Sequence, residues 1–201
     1  MKLPSCKFIS PFLYLVSLSL LLSSCDKEEN KPDNHILFNG KKYVINTATL
    51  KYAGEVDLRY LDRQIGKTHY EYSIQFSDGI IDPQNSSHIT NATYLVTFSV
   101  YATMADHSLD LTGGTFTGVH PQEVFGGRAP LDKNFYSMFI LRVDDNGNGA
   151  FNQNETWADG IEGEVVMTGS DNKFTVTIDT SDAAANVSID GRYEGIFEVR
   201  L

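Results

Sequence analysis

The chain has 201 residues, a formal net charge of −10 and 41% hydrophobic residues. That balance argues against nucleic acid as a partner and favours cations. Its only cysteines are Cys6 and Cys25, so a disulfide framework is excluded and a hydrophobic core must hold the fold.

Residues 1–7 are short and basic, with Lys2 and Lys7, and residues 8–22 form an apolar run broken by serines and Pro11. This is the pattern of a secretory leader, and the run is shorter than the ~20 residues a spanning helix needs. It ends at Leu22-Ser23-Ser24-Cys25, which resembles the bacterial lipobox, a leucine and two small residues before an acylated cysteine. The resemblance implies a signal peptide over 1–24, lipid attachment at Cys25 and the membrane as a partner through that lipid. Each buried CH₂ of an acyl chain contributes ~0.8 kcal/mol, so the two or three chains of a bacterial lipoprotein anchor firmly where one would not. The next residues, Asp26-Lys27-Glu28-Glu29, resemble the surface-export signal of Bacteroidota lipoproteins, which implies an outer-membrane protein facing the exterior. Asp26 by itself is also similar to an inner-membrane retention signal. Residues 25–34 read as acylated cysteine and flexible tether, with a reach of ~30 Å at most. Loss of Lys2 and Lys7 with the leader takes the mature body to about −12.

From residue 35 to 201 no repeat or composition break appears, which predicts a single all-β domain. Asn39-Gly40, between Ile36-Leu37-Phe38 and Tyr43-Val44-Ile45, predicts a two-residue hairpin. Period-two alternation predicts strands through Tyr70, Tyr72, Ile74 and Phe76, through Tyr94, Val96, Phe98 and Val100, and through Phe174, Val176 and Ile178. A final strand is expected to carry Tyr193, Gly195, Phe197, Val199 and Leu201 on one face, entered through a turn at Asp190-Gly191. Ser170-Asp171-Asn172 reads as another turn, and residues 115–119 as a strand between glycine- and proline-rich loops. About nine or ten short strands predict an antiparallel β-sandwich, with a lipocalin-like β-barrel as the alternative, because alternation does not report closure.

One stretch carries specific chemistry. In the loop 144–155, Asp144, Asn146 and Asn148 stand at places 1, 3 and 5 of a twelve-residue calcium loop. Gly149 stands at the sharp turn, Ala150 offers its carbonyl at 7, and Glu155 stands at 12. Calcium takes six to eight oxygens at about 2.3–2.6 Å, which is why such a dense donor set is needed. The alternative is a bare Asn/Gly hairpin turn. The apolar run at 135–143 and the glycines at 160 and 163 predict a strand entering the loop and no helix leaving it. Trp157, the sole tryptophan, suits stacking on a sugar ring if it faces solvent and is otherwise a packing residue.

The tail, with Gly163-x-Val165, the alternating 174–178 segment and Ile189-x-Gly191-x-Tyr193-x-Gly195, resembles the closing strands of small Bacteroidota surface lipoproteins. That resemblance implies a β-sandwich and an address, not an activity. His35, His69, His88, His107 and His120 lack metal spacing, and neither a nucleophile elbow nor a phosphate-cradling glycine loop occurs. The expectation is therefore a non-catalytic binding or adhesion module of the outer membrane, possible partners being a glycan or an envelope protein. A structural or accessory subunit of an envelope complex and a carrier of an apolar ligand are the alternatives.

Overall fold

The computed structural model describes residues 32–56, 68–82, 89–104, 111–148, 151 and 155–200. The leader, Cys25 and the tether to residue 31 lie outside them, as does Ala150.

Asn39 and Gly40 adopt φ of 47° and 78°, the left-handed pair whose twist suits a tight hairpin, and so join β1 (His35–Phe38) to β2 (Lys41–Val44). The chain continues through β3 (Thr47–Val56), β4 (His69–Ser77), β5 (Ile80–Ile81), β6 (Ile89–Thr90), β7 (Tyr94–Thr103) and β8 (Gly113–Gly118). A short helix, α1 (Pro121–Phe125), leads to β9 (Phe135–Val143). Then come β10 (Trp157–Gly160), β11 (Glu162–Ser170), β12 (Lys173–Asp182), β13 (Val187–Ile196) and β14 (Glu198–Arg200). The fold is all-β. Among the described residues there are fourteen strands, more than the nine or ten expected, because β5, β6, β10 and β14 are too short to display an alternation.

Twelve strands form one sheet in the order β14-β3-β4-β7-β9-β8-β11-β12-β13-β1-β2, with β10 beside β9, while β5 and β6 pair separately. The sheet is mixed and not purely antiparallel as expected, since β14 runs parallel to β3 and β8 parallel to β9. Its two ends come close together. β2 ends the order and β3 is next to its opposite end, yet only Ile45 and Asn46 separate them in sequence. Phe197 alone joins β13 to β14 in the same way. The sheet therefore curls, since consecutive Cα atoms are only ~3.8 Å apart. The Tyr94 hydroxyl donates to the Val44 carbonyl at 3.1 Å, and the Asn46 N–H to the Ser77 carbonyl at 3.0 Å, stitching this seam.

Aromatic rings fill the interior of the curl. Phe76 of β4 meets Tyr193 of β13 at 5.3 Å and Phe197 at 5.7 Å, so opposite walls touch directly. Phe98 stacks on Phe139 at 5.0 Å. Two smaller clusters cover the outer face, since alternate residues of a strand point to opposite sides. Tyr101 and Phe135 pack under Val124 of α1 and Ala129, and Leu95 packs with Ile81, Ile89 and Phe151.

Two expectations at the tail are corrected. Asp190-Gly191 is not a turn but lies inside β13, where Ile36 Cδ1 sits 2.7 Å from the position a Gly191 Cβ would take. The glycine is there for close packing. Nor is the end one strand. Buried Phe197 interrupts it, and the chain crosses to pair with β3, leaving Val199 exposed.

His69 is fully buried against Phe135, a ring edge 5.4 Å away. Its Nε2 contacts the Lys133 carbonyl at 3.0 Å and its Nδ1 the Thr68 hydroxyl at 3.0 Å. A carbonyl only accepts, so Nε2 carries the proton of a neutral ring. Burial holds the ring below the ordinary histidine range, more than the Lys133 bond offsets. The unfolded chain then binds a proton that the folded one refuses. Stability contributed by the neutral ring is complete above about pH 6.5 and declines as pH falls below it toward the lowered folded value. Urea melts between pH 8 and 5 should show this decline in the native chain and a flatter profile in His69→Gln. Equal slopes would assign the effect elsewhere.

Candidate functional site

β9 meets two partners along one edge. Its first residues, Phe135 and Tyr136, pair with β8, and residues 139–142 pair with β10. Between them the strand carries an extra residue opposite β7, and Met138 takes φ of 57°. Such a bulge shifts the phase of the side chains. Tyr136 points into the core before it, Phe139, Leu141 and Val143 point there after it, and Met138 turns outward. The mostly apolar character of 135–143, in which only Ser137 and Arg142 are polar, follows from this switch of phase.

The bulge marks a fork. β8 leaves the sheet at Gly118, and the chain from β10 to β11 bends around its end. A Cβ on Gly118 would collide with the Ile161 carbonyl and stand 2.8 Å from the Tyr136 hydroxyl. At Gly160 a Cβ would stand 2.5 Å from Thr180 Oγ1. Both glycines are what lets the strands approach there. The Val119 N–H donates to the Tyr136 carbonyl at 3.0 Å, and the Ser137 hydroxyl to the Val119 carbonyl at 2.8 Å, so the departing chain is held against β9.

At the fork's outer side lies a cavity of about 210 Å³. Met138 and Ile140 of β9, Trp157 and Asp159 of β10, and His120 and Phe125 of the β8–β9 connection wall it. Phe125, Trp157 and Met138 are 66%, 54% and 40% exposed. Single exposed apolar side chains are ordinary, but three that line one cavity make it the candidate site. Trp157 is fixed in orientation. Its indole N–H donates to Asp159 Oδ1 at 2.7 Å, and the Arg142 guanidinium, opposite it in the β9–β10 register, lies 5.2 Å from the ring centre. His120 caps α1 by accepting the Gln122 N–H at Nδ1, 3.1 Å away, which places the proton of its neutral ring on Nε2.

The loop 144–155 joins β9 to β10, and thus ends two residues before Trp157. Asp144 Oδ1 accepts the Gly147 N–H at 2.7 Å and the Asn148 N–H at 3.2 Å, and Asn146 Oδ1 also accepts the Asn148 N–H at 3.0 Å. The Asn146 amide donates to Glu155 Oε1. Side chains at places 1 and 3 of the expected calcium loop thus accept from the backbone of place 5, and place 12 accepts from the side chain of place 3, whereas place 7, Ala150, lies outside the described residues. Asp145 closes the neck. Its Oδ2 accepts the Thr156 hydroxyl at 2.6 Å and the Thr156 N–H at 2.8 Å, and these bonds hold its carboxyl below the usual range.

Of the residues singled out in the sequence, Asp144, Asn146, Asn148 and Glu155 come together, and Trp157 faces solvent at the neighbouring cavity. His120, Phe125 and Met138 carried no sequence signal beyond their position near loops, because the fork that assembles them depends on non-local pairing, and Asp159 stands out only as the residue two on from Trp157 in β10. No protein-family model matches the chain, and neither curated proteins nor solved structures give a match.

Gly118→Ala should cost about 1–3 kcal/mol, since backbone must move to admit the methyl. Trp157→Ala and Phe125→Ala should change stability by no more than about 0.5 kcal/mol, as exposed sites do. Denaturant unfolding of the three variants tests this, and a large loss at Trp157 would make it a packing residue.

Proposed function

We propose that the protein is a lipoprotein of the outer membrane, anchored through Cys25 and displayed outward, which binds a glycan non-catalytically in the fork cavity. The observation that carries this reading is Trp157. An exposed indole locked by Asp159 on its edge and backed by Arg142 on one face offers a rigid flat surface, and rigidity lowers the ordering cost of binding. Aromatic faces suit the apolar C–H face of a sugar ring, while Asp159 and His120 supply polar contacts at the rim. Rings meeting across the curled sheet support an outer site over a lumen holding an apolar cargo.

Calcium is the second part of the proposal. Asp144, Asn146, Asn148 and Glu155 would hold the ion, joined by the Ala150 carbonyl, and two carboxylates suit an affinity on the order of 10⁻⁴–10⁻³ M, as in extracellular modules. The hydrogen bonds that run from place 1 through places 5 and 3 to place 12 support that fit. When bound, the ion would supply fixed positive charge to Asp144 and Glu155, and so stiffen the β9–β10 connection.

Screening the full chain against a glycan array should reveal binding that Trp157→Ala abolishes and that Trp157→Phe partly restores. Calorimetric titration with Ca²⁺ should give millimolar heats and a raised melting temperature, both lost in Glu155→Gln. Absence of heat and of thermal shift at several millimolar Ca²⁺ would leave the loop a simple turn.

A further inference from the structure

The chemistry of the fork cavity narrows its ligand, on the reading that this cavity is the glycan site. Its walls are mostly apolar, with Phe125, Met138, Ile140 and Trp157 among the lining side chains. Two polar groups stand among them. Asp159 has one oxygen committed to the indole N–H, and its Oδ2 makes no hydrogen bond among the described residues. His120 has Nδ1 committed to the helix cap, and its Nε2–H makes none among them either. The side chains of the cavity therefore offer one acceptor, one donor and an apolar wall.

A ring decorated only with hydroxyls matches this set poorly, since several polar groups would lose water against apolar side chains without a partner. Anionic sugars are disfavoured by Asp159 and by the net charge of −10. A flat C–H face, one N–H, one carbonyl and a methyl are what the cavity complements. We infer that the site recognises a 2-acetamido sugar. Its ring stacks on Trp157, its amide N–H donates to Asp159 Oδ2, its carbonyl accepts from His120 Nε2, and its methyl enters between Phe125 and Met138. The cavity, at about 210 Å³, is below the ~300 Å³ of pockets for drug-sized ligands and suits recognition of one such residue.

The test titrates the full chain with the β-1,4-linked trisaccharides of N-acetylglucosamine and of glucose, which differ chiefly at the acetamido groups. The acetamido trisaccharide should bind at least tenfold tighter. Trp157→Ala should abolish binding of both. Asp159→Asn retains an oxygen for the indole N–H but can set an amide donor against the ligand's N–H, so it should cut the preference toward unity without lowering the melting temperature. Equal affinity for the two trisaccharides, sensitive to Trp157→Ala, would overturn the acetamido assignment and leave the glycan reading intact. Binding of neither would remove both. A peptide bearing N-acetyl-lysine that binds as tightly as the acetamido trisaccharide would overturn the sugar in favour of an acylated peptide.

Discussion

The single residue inserted into β9 at Met138 is the constraint on which the site depends. A strand in perfect register would keep one partner along its edge and bury the same face throughout. With the bulge, β9 presents Phe135 outward and Tyr136 inward at one end, and Phe139, Leu141 and Val143 inward at the other. β8 can then pair with the first part and β10 with the second. The gap where they diverge becomes a cavity in place of a continuous ladder, and Met138 is turned toward it. Gly118 and Gly160 permit the close approach on either side, so the bulge and the two glycines act as one device.

The curl of the sheet has a different physical origin. Two very short connections, Ile45-Asn46 and Phe197, oblige the ends of a long sheet to meet, and the ring contacts between β4 and β13 supply the energy that holds them. Burial of aromatic side chains contributes on the order of 1.5–3 kcal/mol each, and Phe76, Phe98, Phe139, Phe174 and Phe197 are almost completely shielded. No disulfide is needed for a domain with that many interlocked rings. It also explains why the outer face needs only two small covers, at Tyr101 and Leu95, with polar residues such as Ser99 and Glu71 bonded to each other between them.

Much of this was legible in the residues, for reasons that are local. Asn39-Gly40 announced its hairpin because left-handed φ values select those residue types, and the alternation of Tyr94 through Val100 announced β7 because that strand has no bulge. The spacing of Asp144, Asn146 and Glu155 was visible because it is a property of the sequence, and the structure joins these residues through hydrogen bonds within the loop. What was hidden is whatever depends on pairing between distant segments. The parallel partners of β8 and β14 leave no mark in their own residues, and Gly191 looked like a turn because a glycine needed for the approach of Ile36 is indistinguishable in sequence from one needed for φ. Trp157 could be noticed alone and Asp159 is its neighbour on β10, but His120, Phe125 and Met138 come from other segments brought to them only by the fork.

The two proposed sites are not independent, since they share the β9–β10 hairpin. Glu155, at the last place of the loop, is two residues from Trp157, and Asp145 binds both the hydroxyl and the N–H of Thr156 between them. A cation that draws Asp144 and Glu155 together would therefore restrict the start of β10, and with it the indole platform, before any ligand arrives. The ordering cost of binding would be met by the ion and not by the sugar. Such coupling is reciprocal, because a ligand that prefers the ordered hairpin must raise calcium affinity by the same factor by which calcium raises its own. With millimolar calcium affinity of the kind extracellular modules show, the coupling would act near the concentrations found outside a cell, and the exposed face of Trp157 would be ordered in the compartment to which the proposed lipid anchor would display it.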